Sequence, residues 1–263
     1  MKNYRLEGKT AVVTGASEGI GFGIAKQLSE EGVNILLVSR NEEKILDAKR
    51  EIESNSSSVV SYVCGDVKDP DLPLRVLKAS EEINGCDILV NNSGGPPLGS
   101  FLEFEDEDWE SAFDTNLMSV VRFTTIFAER MIKNKWGRIL NVTSTLAKEP
   151  SSPMVLSATM RAGVSAFTKS ISYDLAESGV TINTICPGGV LTKRLSSLVE
   201  QSAKKQNITF EQALHNSEKS IPIGRFASVE EFSEIALFLL SEQGGYLTGM
   251  SLMADGGLTK SFF

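Results

Sequence analysis

Residues 14–22, TGASEGIGF, have the types and spacing to bind an anion such as a phosphate. They follow the apolar run 10–14, which predicts a short buried strand, and they lead into a segment with the apolar spacing of a helix. The first N–H groups of a helix have no partner within the helix. A strand, a glycine turn and a helix start therefore form a site for negative charge.

The glycines set the geometry of this turn. Gly15 allows a tight change of direction, and Gly19 and Gly21 leave room for the backbone to come close to a phosphate. The pattern G-x-x-x-G-x-G differs from the commoner G-x-G-x-x-G, and alone it is also compatible with an ordinary loop between a strand and a helix.

The sequence argues against several kinds of catalytic centre. His215 is its single histidine, which disfavours a Ser-His-Asp triad and a metal site built from histidines. Cys64, Cys86 and Cys186 are odd in number and far apart, so we expect neither a disulfide framework nor a zinc site. No metal is predicted.

Length and composition predict one large α/β domain over residues 1–263. The chain is 41% hydrophobic, and its formal net charge of −8 gives no reason to expect nucleic acid or an anionic membrane as a partner. No run approaches the roughly 18 apolar residues of a membrane helix. The N-terminal residues have no hydrophobic targeting core, so a cytoplasmic location is expected.

Apolar runs alternate with segments of helical spacing along the chain. Strands are predicted at residues 10–14, 33–39, 59–64, 87–91, 138–144 and 181–186, and helices at 23–30, 42–54, 71–83, 106–133 and 156–178. This alternation predicts a doubly wound parallel sheet, a Rossmann fold, with helices on both faces. The strands show little alternation of polarity, which fits burial on both sides.

Small or polar residues follow the carboxyl end of each predicted strand. They are Gly15, Ser39 and Arg40, Asp66, residues 92–94, Ser144, and Pro187 with Gly188. Ligands of doubly wound sheets bind at this edge, so a dinucleotide site is predicted there.

The chain resembles the short-chain dehydrogenase/reductase family nearly from end to end. The sequence TGASEGIG is similar to the family's nucleotide turn, residues 65–67 to its adenine-contacting loop, and residues 91–94 to its N-N-A-G motif. Asn116 falls at the family's active-site asparagine. Residues 137–144 resemble the strand that ends in the catalytic serine, which is then Ser144.

The C-terminal part extends the similarity. Residues 183–192 fit the pattern N-x-x-x-P-G-x-x-x-T, and segments between residues 221 and 257 resemble the 3-oxoacyl-[acyl-carrier-protein] reductase branch. The resemblance implies a nicotinamide cofactor and hydride transfer to or from a carbonyl or a secondary alcohol. It assigns cofactor contacts to Gly15, Ser17, Glu18, Gly19, Ile20, Gly21, Ser39, Arg40, Asp66, Val67, Asn92, Ser93, Gly94, Arg161, Pro187, Gly188, Val190 and Thr192.

The chain departs from the family at its central catalytic pair. The family's tyrosine position is occupied by Ser157, and its lysine position by Arg161. A serine hydroxyl is a far poorer acid than a phenol, whose pKa is about 10. Arginine keeps its charge and can hydrogen-bond a ribose, but it does not readily act as a base. With Asn116 and Ser144, these residues form the candidate catalytic set.

Three functions are compatible with this departure. The first is an oxidoreductase with a modified acid–base apparatus, in which Ser144 polarises the substrate oxygen and a water relays a proton between Ser157 and Arg161. The second is a cofactor-binding sensor or subunit with negligible turnover. The third is a non-redox enzyme on the same scaffold.

The preferred cofactor is NADP, with NAD as a possible second one. At the end of the second predicted strand, an acidic residue would hydrogen-bond both ribose hydroxyls of NAD. Here that position is Ser39, and Arg40 follows it. A guanidinium favours the 2′-phosphate of NADP through a charge-assisted hydrogen bond. Glu18 opposes this preference, because its charge would repel the phosphate unless it points into solvent.

Residues 192–220 are expected to form a lid over the nicotinamide, or otherwise two surface helices. The substrate is a small carbonyl or alcohol compound. The resemblance also implies a homo-oligomer, a tetramer or a dimer, joined through the helices 106–133 and 156–178 and the apolar tail with Phe262 and Phe263.

Overall fold

The predicted strands form one parallel sheet. The computed structural model describes residues 4–261. Its strands are β1 (Thr10–Thr14), β2 (Asn34–Ser39), β3 (Val60–Cys64), β4 (Ile88–Asn91), β5 (Gly137–Val142), β6 (Val180–Pro187) and β7 (Ser251–Ala254). Their order in the sheet is β3-β2-β1-β4-β5-β6-β7, with every pairing parallel. The predicted fold class is confirmed.

Helices connect the strands on both faces of the sheet. They are α1 (Gly19–Glu30), α2 (Glu42–Asn55), α3 (Leu72–Glu81), α4 (Asp106–Phe113), α5 (Ser119–Asn134), α6 (Val155–Ala176), α7 (Lys193–Gln206), α8 (Phe210–Lys219) and α9 (Val229–Leu240). The last helix and β7 have no counterpart among the predicted elements. The tail residues Phe262 and Phe263, named for the oligomer interface, lie outside the described residues.

Successive side chains of each strand enter two different cores, because the side-chain period of a strand is two. Val13 points into a core shared with α1, α2 and α9. Its neighbour Val12 points into a second core, shared with α3, α5 and α6. Burial on both faces explains why β1 and β2 are nearly continuous apolar runs.

One predicted helix is interrupted at the site. The helix expected at 106–133 is divided into α4 and α5 by a π-helical turn, Asp114–Met118. There the Ser119 amide bonds the Asp114 carbonyl, five residues back. One wide turn leaves the apolar spacing on either side intact, so periodicity alone could not reveal it.

No helix within residues 4–261 has both the length and the apolar character needed to cross a bilayer. In the same range, no group of three His, Cys, Asp or Glu side chains is arranged to hold a metal ion.

Candidate active site

Apart from Arg161 on α6, the predicted cofactor residues lie at the carboxyl edge of the sheet, at or after the ends of five of its strands. After β1 come Gly15, Ser17, Glu18, Gly19, Ile20 and Gly21; at β2, Ser39 and Arg40; after β3, Asp66 and Val67; after β4, Asn92, Ser93 and Gly94; and at β6, Pro187, Gly188, Val190 and Thr192.

The glycine turn is closed tightly enough to require its glycines. Gly15 has φ +58° and Gly19 has φ +64°, a backbone conformation that other residues rarely adopt. A Cβ on Gly15 would lie 2.7 Å from the Asn92 carbonyl oxygen, and one on Gly21 would lie 2.4 Å from the Gly15 carbonyl oxygen. Gly19 opens α1 without a side-chain cap, so the first amides of the helix remain available to an anion.

Asn92 joins this turn to the end of β4. Its backbone amide donates to Thr14 Oγ1 at 2.9 Å, and its side-chain amide donates to the Gly15 carbonyl at 3.1 Å. The sheet order reverses between β1 and β4, so this contact lies at the topological switch point, where doubly wound sheets bind their ligands.

Two hydroxyls and two cations surround the end of β2. Ser39 Oγ donates to Ser17 Oγ at 2.8 Å. The Arg40 guanidinium is largely exposed and lies 3.6 Å from Asp66. Lys44 lies in the first turn of α2 and was not predicted as a site residue. Its position three residues after the helix cap Asn41, at the end of β2, could have indicated that its side chain lies near the cofactor edge.

The charge of Glu18 is offset by neighbouring lysines. Lys44 Nζ lies 3.1 Å from the Glu18 carboxylate, and Lys193 Nζ lies 3.5 Å from it. Partial burial raises the pKa of Glu18, but these lysine contacts lower it further, and its net pKa is below the ordinary value. The expected repulsion of a phosphate by Glu18 is therefore reduced by two cations rather than by its orientation alone.

Ser157 and Arg161 are in direct contact. They lie one turn apart on α6, both buried, and Arg161 Nε donates to Ser157 Oγ at 3.0 Å. Arg161 Nη1 donates to the Val142 carbonyl at 3.3 Å and to the Thr143 carbonyl. Burial lowers the pKa of Arg161 to about 10. The direct bond makes a relay water between the two side chains unnecessary.

Ser144 lies just beyond β5, which ends at Val142 rather than at residue 144. Its Oγ accepts a hydrogen bond from the Leu146 amide at 3.3 Å and caps a short 3-10 turn, Thr145–Ala147. This bond uses the oxygen and leaves the hydroxyl proton available to a substrate oxygen.

Asn116 lies in the π-helical turn with an unused acceptor. Its side-chain amide donates to Ser93 Oγ and to the Gly94 carbonyl, both at 2.9 Å. Its Oδ1 is buried and has no hydrogen-bond partner in the described part of the chain. Such an atom points to a ligand or an ordered water at this position.

A small pocket brings several of these residues together. Its wall includes Val67, Asn92, Ser93, Asn116 and Arg161. Ser144 and Ser157 do not line it, although the contact with Arg161 places Ser157 directly behind its wall.

The end of β6 is held by β7 and by the residue segment just before α9, two elements that the sequence did not predict. The Gly188 amide donates to the Ala254 carbonyl of β7 at 3.1 Å, and Val190 bridges to Ala227 just before α9. The positions of Pro187 and Gly188 are therefore set by the C-terminal segment.

Comparisons with known proteins identify the family of this chain. The family model described as short chain dehydrogenase matches residues 9–203. The chain belongs to the short chain dehydrogenase family. Oxidoreductase UcpA of Escherichia coli (strain K12) is 37% identical over 265 residues, covering 97% of this chain and 96% of the relative.

Two further proteins are similar to this chain over nearly their whole length. The 3-oxoacyl-[acyl-carrier-protein] reductase FabG of Chlamydia muridarum is 34% identical over 257 residues, covering 97% of this chain and 99% of the relative. The crystal structure of L-sorbose reductase from Gluconobacter frateurii, complexed with NADPH and L-sorbose, has a TM-score of 0.93 at 29% identity and covers 97% and 98% of the two chains. The predicted family is confirmed.

Proposed function

We propose that this protein is an NADP-dependent oxidoreductase that transfers hydride between the nicotinamide and a carbonyl or secondary alcohol, using Ser157 and Arg161 in place of the usual acid–base pair. The observation that carries the proposal is the bond from Arg161 Nε to Ser157 Oγ, which links a proton reservoir to a hydroxyl at the family's catalytic position.

The residues of the site fit NADP. Close packing against Gly15 and Gly21 excludes a side chain and keeps the turn tight, and the start of α1 offers its amides to the pyrophosphate. Ser39 replaces a carboxylate, and the Arg40 and Lys44 cations suit a 2′-phosphate. The similar L-sorbose reductase was solved with NADPH. NADH is expected to bind more weakly.

NADPH, when bound, supplies the hydride. Ser144 and Ser157 then serve the substrate oxygen, since each Oγ accepts a hydrogen bond from the protein and keeps its own proton to donate. As the alkoxide forms, Ser157 Oγ gives it a proton and recovers one from Arg161 Nε, and Arg161 is reprotonated from water. Burial assists this transfer because it brings the pKa of Arg161 to about 10.

One observation favours the second function, a cofactor-binding protein with negligible turnover. Ser157 is only 8% exposed, and a serine side chain is much shorter than that of tyrosine. A substrate must therefore come close to α6, or the pocket must open, for Ser157 to donate a proton.

Residues 192–220 are proposed as the substrate lid. The helices α7 and α8 share a hydrophobic cluster of their own, built on Val199, Ala203 and Ala213. A segment with a separate core can move as a unit on the body of the domain.

The test is a turnover screen with ketones and aldehydes that follows NADPH absorbance, on the wild type and on Ser144→Ala and Ser157→Ala. Each substitution should reduce turnover about 10²- to 10⁴-fold, as expected for loss of a group that donates to the reacting oxygen. Ser170→Ala is the matched control, because Ser170 is an exposed serine of the same helix α6. Full turnover in both Ser144→Ala and Ser157→Ala would refute this mechanism.

A further inference from the structure

Arg161 is a buried cation without an anionic partner. Each of its hydrogen bonds goes to a neutral oxygen: the Ser157 hydroxyl and the carbonyls of Val142 and Thr143. Within residues 4–261, no carboxylate forms an ion pair with it. A buried charge is costly unless a counter-charge compensates it.

A second cation approaches the same point from the proposed lid. Arg194, in the first turn of α7, donates from Nη2 to the Pro96 carbonyl at 3.2 Å. A Cβ built on Gly95 would lie 3.7 Å from Arg194 Nη2 and 3.8 Å from Arg161 Nη2. Within residues 4–261, no other heavy atom outside residues 94–96 lies within 4 Å of that point. The two guanidiniums therefore flank one small space that opens over Gly95.

Two like charges facing one space repel each other, and the charge of Arg194 contributes to the lowered pKa of Arg161, after burial as the main cause. An anion between them would compensate the buried charge of Arg161 and remove the repulsion between the two guanidiniums. A carboxylate has two oxygens that accept charge-assisted hydrogen bonds at about 2.7–2.9 Å, so one carboxylate can serve both guanidiniums. The glycine turn at the start of α1 already provides a separate anion site for the cofactor.

We propose that the substrate of this enzyme is a keto acid or hydroxy acid whose carboxylate binds between Arg161 and Arg194 over Gly95. This inference rests on the proposed function and specifies its substrate class. The lid contributes Arg194, so a bound carboxylate also draws α7 toward the sheet and covers the reacting carbonyl.

The test uses matched pairs of ketones that differ only in charge: 4-oxopentanoate against 4-oxopentanamide, and 4-oxocyclohexanecarboxylate against its carboxamide. Calorimetric titrations of the protein, with and without NADPH, should show the carboxylates binding more tightly than the amides. Arg194→Ala should weaken carboxylate binding about 10- to 150-fold, the loss of one charge-assisted hydrogen bond. It should leave amide binding and NADPH affinity unchanged.

Lys205→Ala is the matched control, because Lys205 is an exposed cation in the last turn of the same helix α7. It should leave all affinities unchanged. Equal binding of acid and amide in both pairs would overturn the proposal. So would a loss of NADPH affinity in Arg194→Ala, since Arg194 would then serve the cofactor.

Gly95→Ala provides a test that removes no charge. The new Cβ meets both guanidiniums at ordinary contact distance, so the protein should fold while the carboxylate position is filled. We expect this variant to lose carboxylate binding and retain NADPH binding; retained carboxylate binding would contradict the proposed position.

NADPH turnover is recorded separately in the same samples. Arg194-dependent carboxylate binding without turnover would support the anion site and contradict the proposed oxidoreductase. Turnover of neutral ketones without a preference for carboxylates would support the proposed oxidoreductase and contradict the anion site.

Discussion

The exchange Arg40→Ala should weaken NADPH binding selectively. Arg40 directly follows β2, where we propose that it binds the 2′-phosphate, and its side chain is 70% exposed. Its guanidinium lies 3.6 Å from the Asp66 carboxylate, so binding a phosphate requires it to give up or share this contact.

The size of the effect follows from these two contacts. A hydrogen bond to a charged group contributes about 1.5–3 kcal/mol. An exposed ion pair such as Arg40–Asp66 contributes about 0–1 kcal/mol, which is lost when the guanidinium turns to the phosphate. The net loss in Arg40→Ala is therefore about 0.5–3 kcal/mol, or roughly a 2- to 150-fold increase in the NADPH dissociation constant.

The assay is fluorescence titration of the wild type and the variant with NADPH and with NADH. The affinity for NADH, which lacks the 2′-phosphate, should not fall. Arg50→Ala is a matched control, because Arg50, like Arg40, is an exposed arginine beside an aspartate. Its side chain is 72% exposed and lies 3.1 Å from Asp47, and both residues are on α2. Equal losses for both cofactors, or no loss for NADPH, would refute the assignment of Arg40 to the phosphate.

Three further predictions concern the catalytic pair and the assembly. The double exchange Ser157→Tyr with Arg161→Lys should lower turnover, because Ser157 is buried against Arg161 and a phenol would occupy the substrate space; increased turnover would instead indicate a site that merely lacks its phenol. Carbonyl reduction should be constant at lower pH and fall as the pH rises through about 10, since burial lowers the pKa of Arg161 to about 10 and the protonated guanidinium is the donor; a fall that persists in Arg161→Gln would contradict this. Light scattering should give a multiple of 28.5 kDa, because α5 and α6 expose Ile132 and Tyr173, and a monomer mass at micromolar concentration would exclude the predicted oligomer.

Much of the architecture could be predicted from apolar runs alone. Strands buried on both faces, such as β1 and β2, are continuous apolar segments, and the turns after them contain the glycines and hydroxyls of the site. The C-terminal elements were missed for a physical reason. The four residues of β7 are only half-buried, and the last six residues of α9, 235–240, are all apolar, so neither element shows a clear apolar period.

The details of the site depend on contacts that no spacing reveals. The sequence places Ser157 and Arg161 one helical turn apart, but not the bonds from Arg161 to the carbonyls of β5 and its following loop. Lys44 and Lys193 reach Glu18 from two different helices. Arg194 approaches Gly95 only because α7 packs beside that loop, so the anion site proposed there follows from tertiary structure alone.

The most direct test of hydride transfer is an isotopic one. The protein is incubated with NADPH carrying deuterium at the transferred position of the nicotinamide and with the ketones of the turnover screen, and the products are analysed by mass spectrometry. We expect one deuterium on the former carbonyl carbon of the product, and a much slower appearance of this label with Ser157→Ala. Tight binding of NADPH without any label in a product would contradict the assignment of this protein as an oxidoreductase.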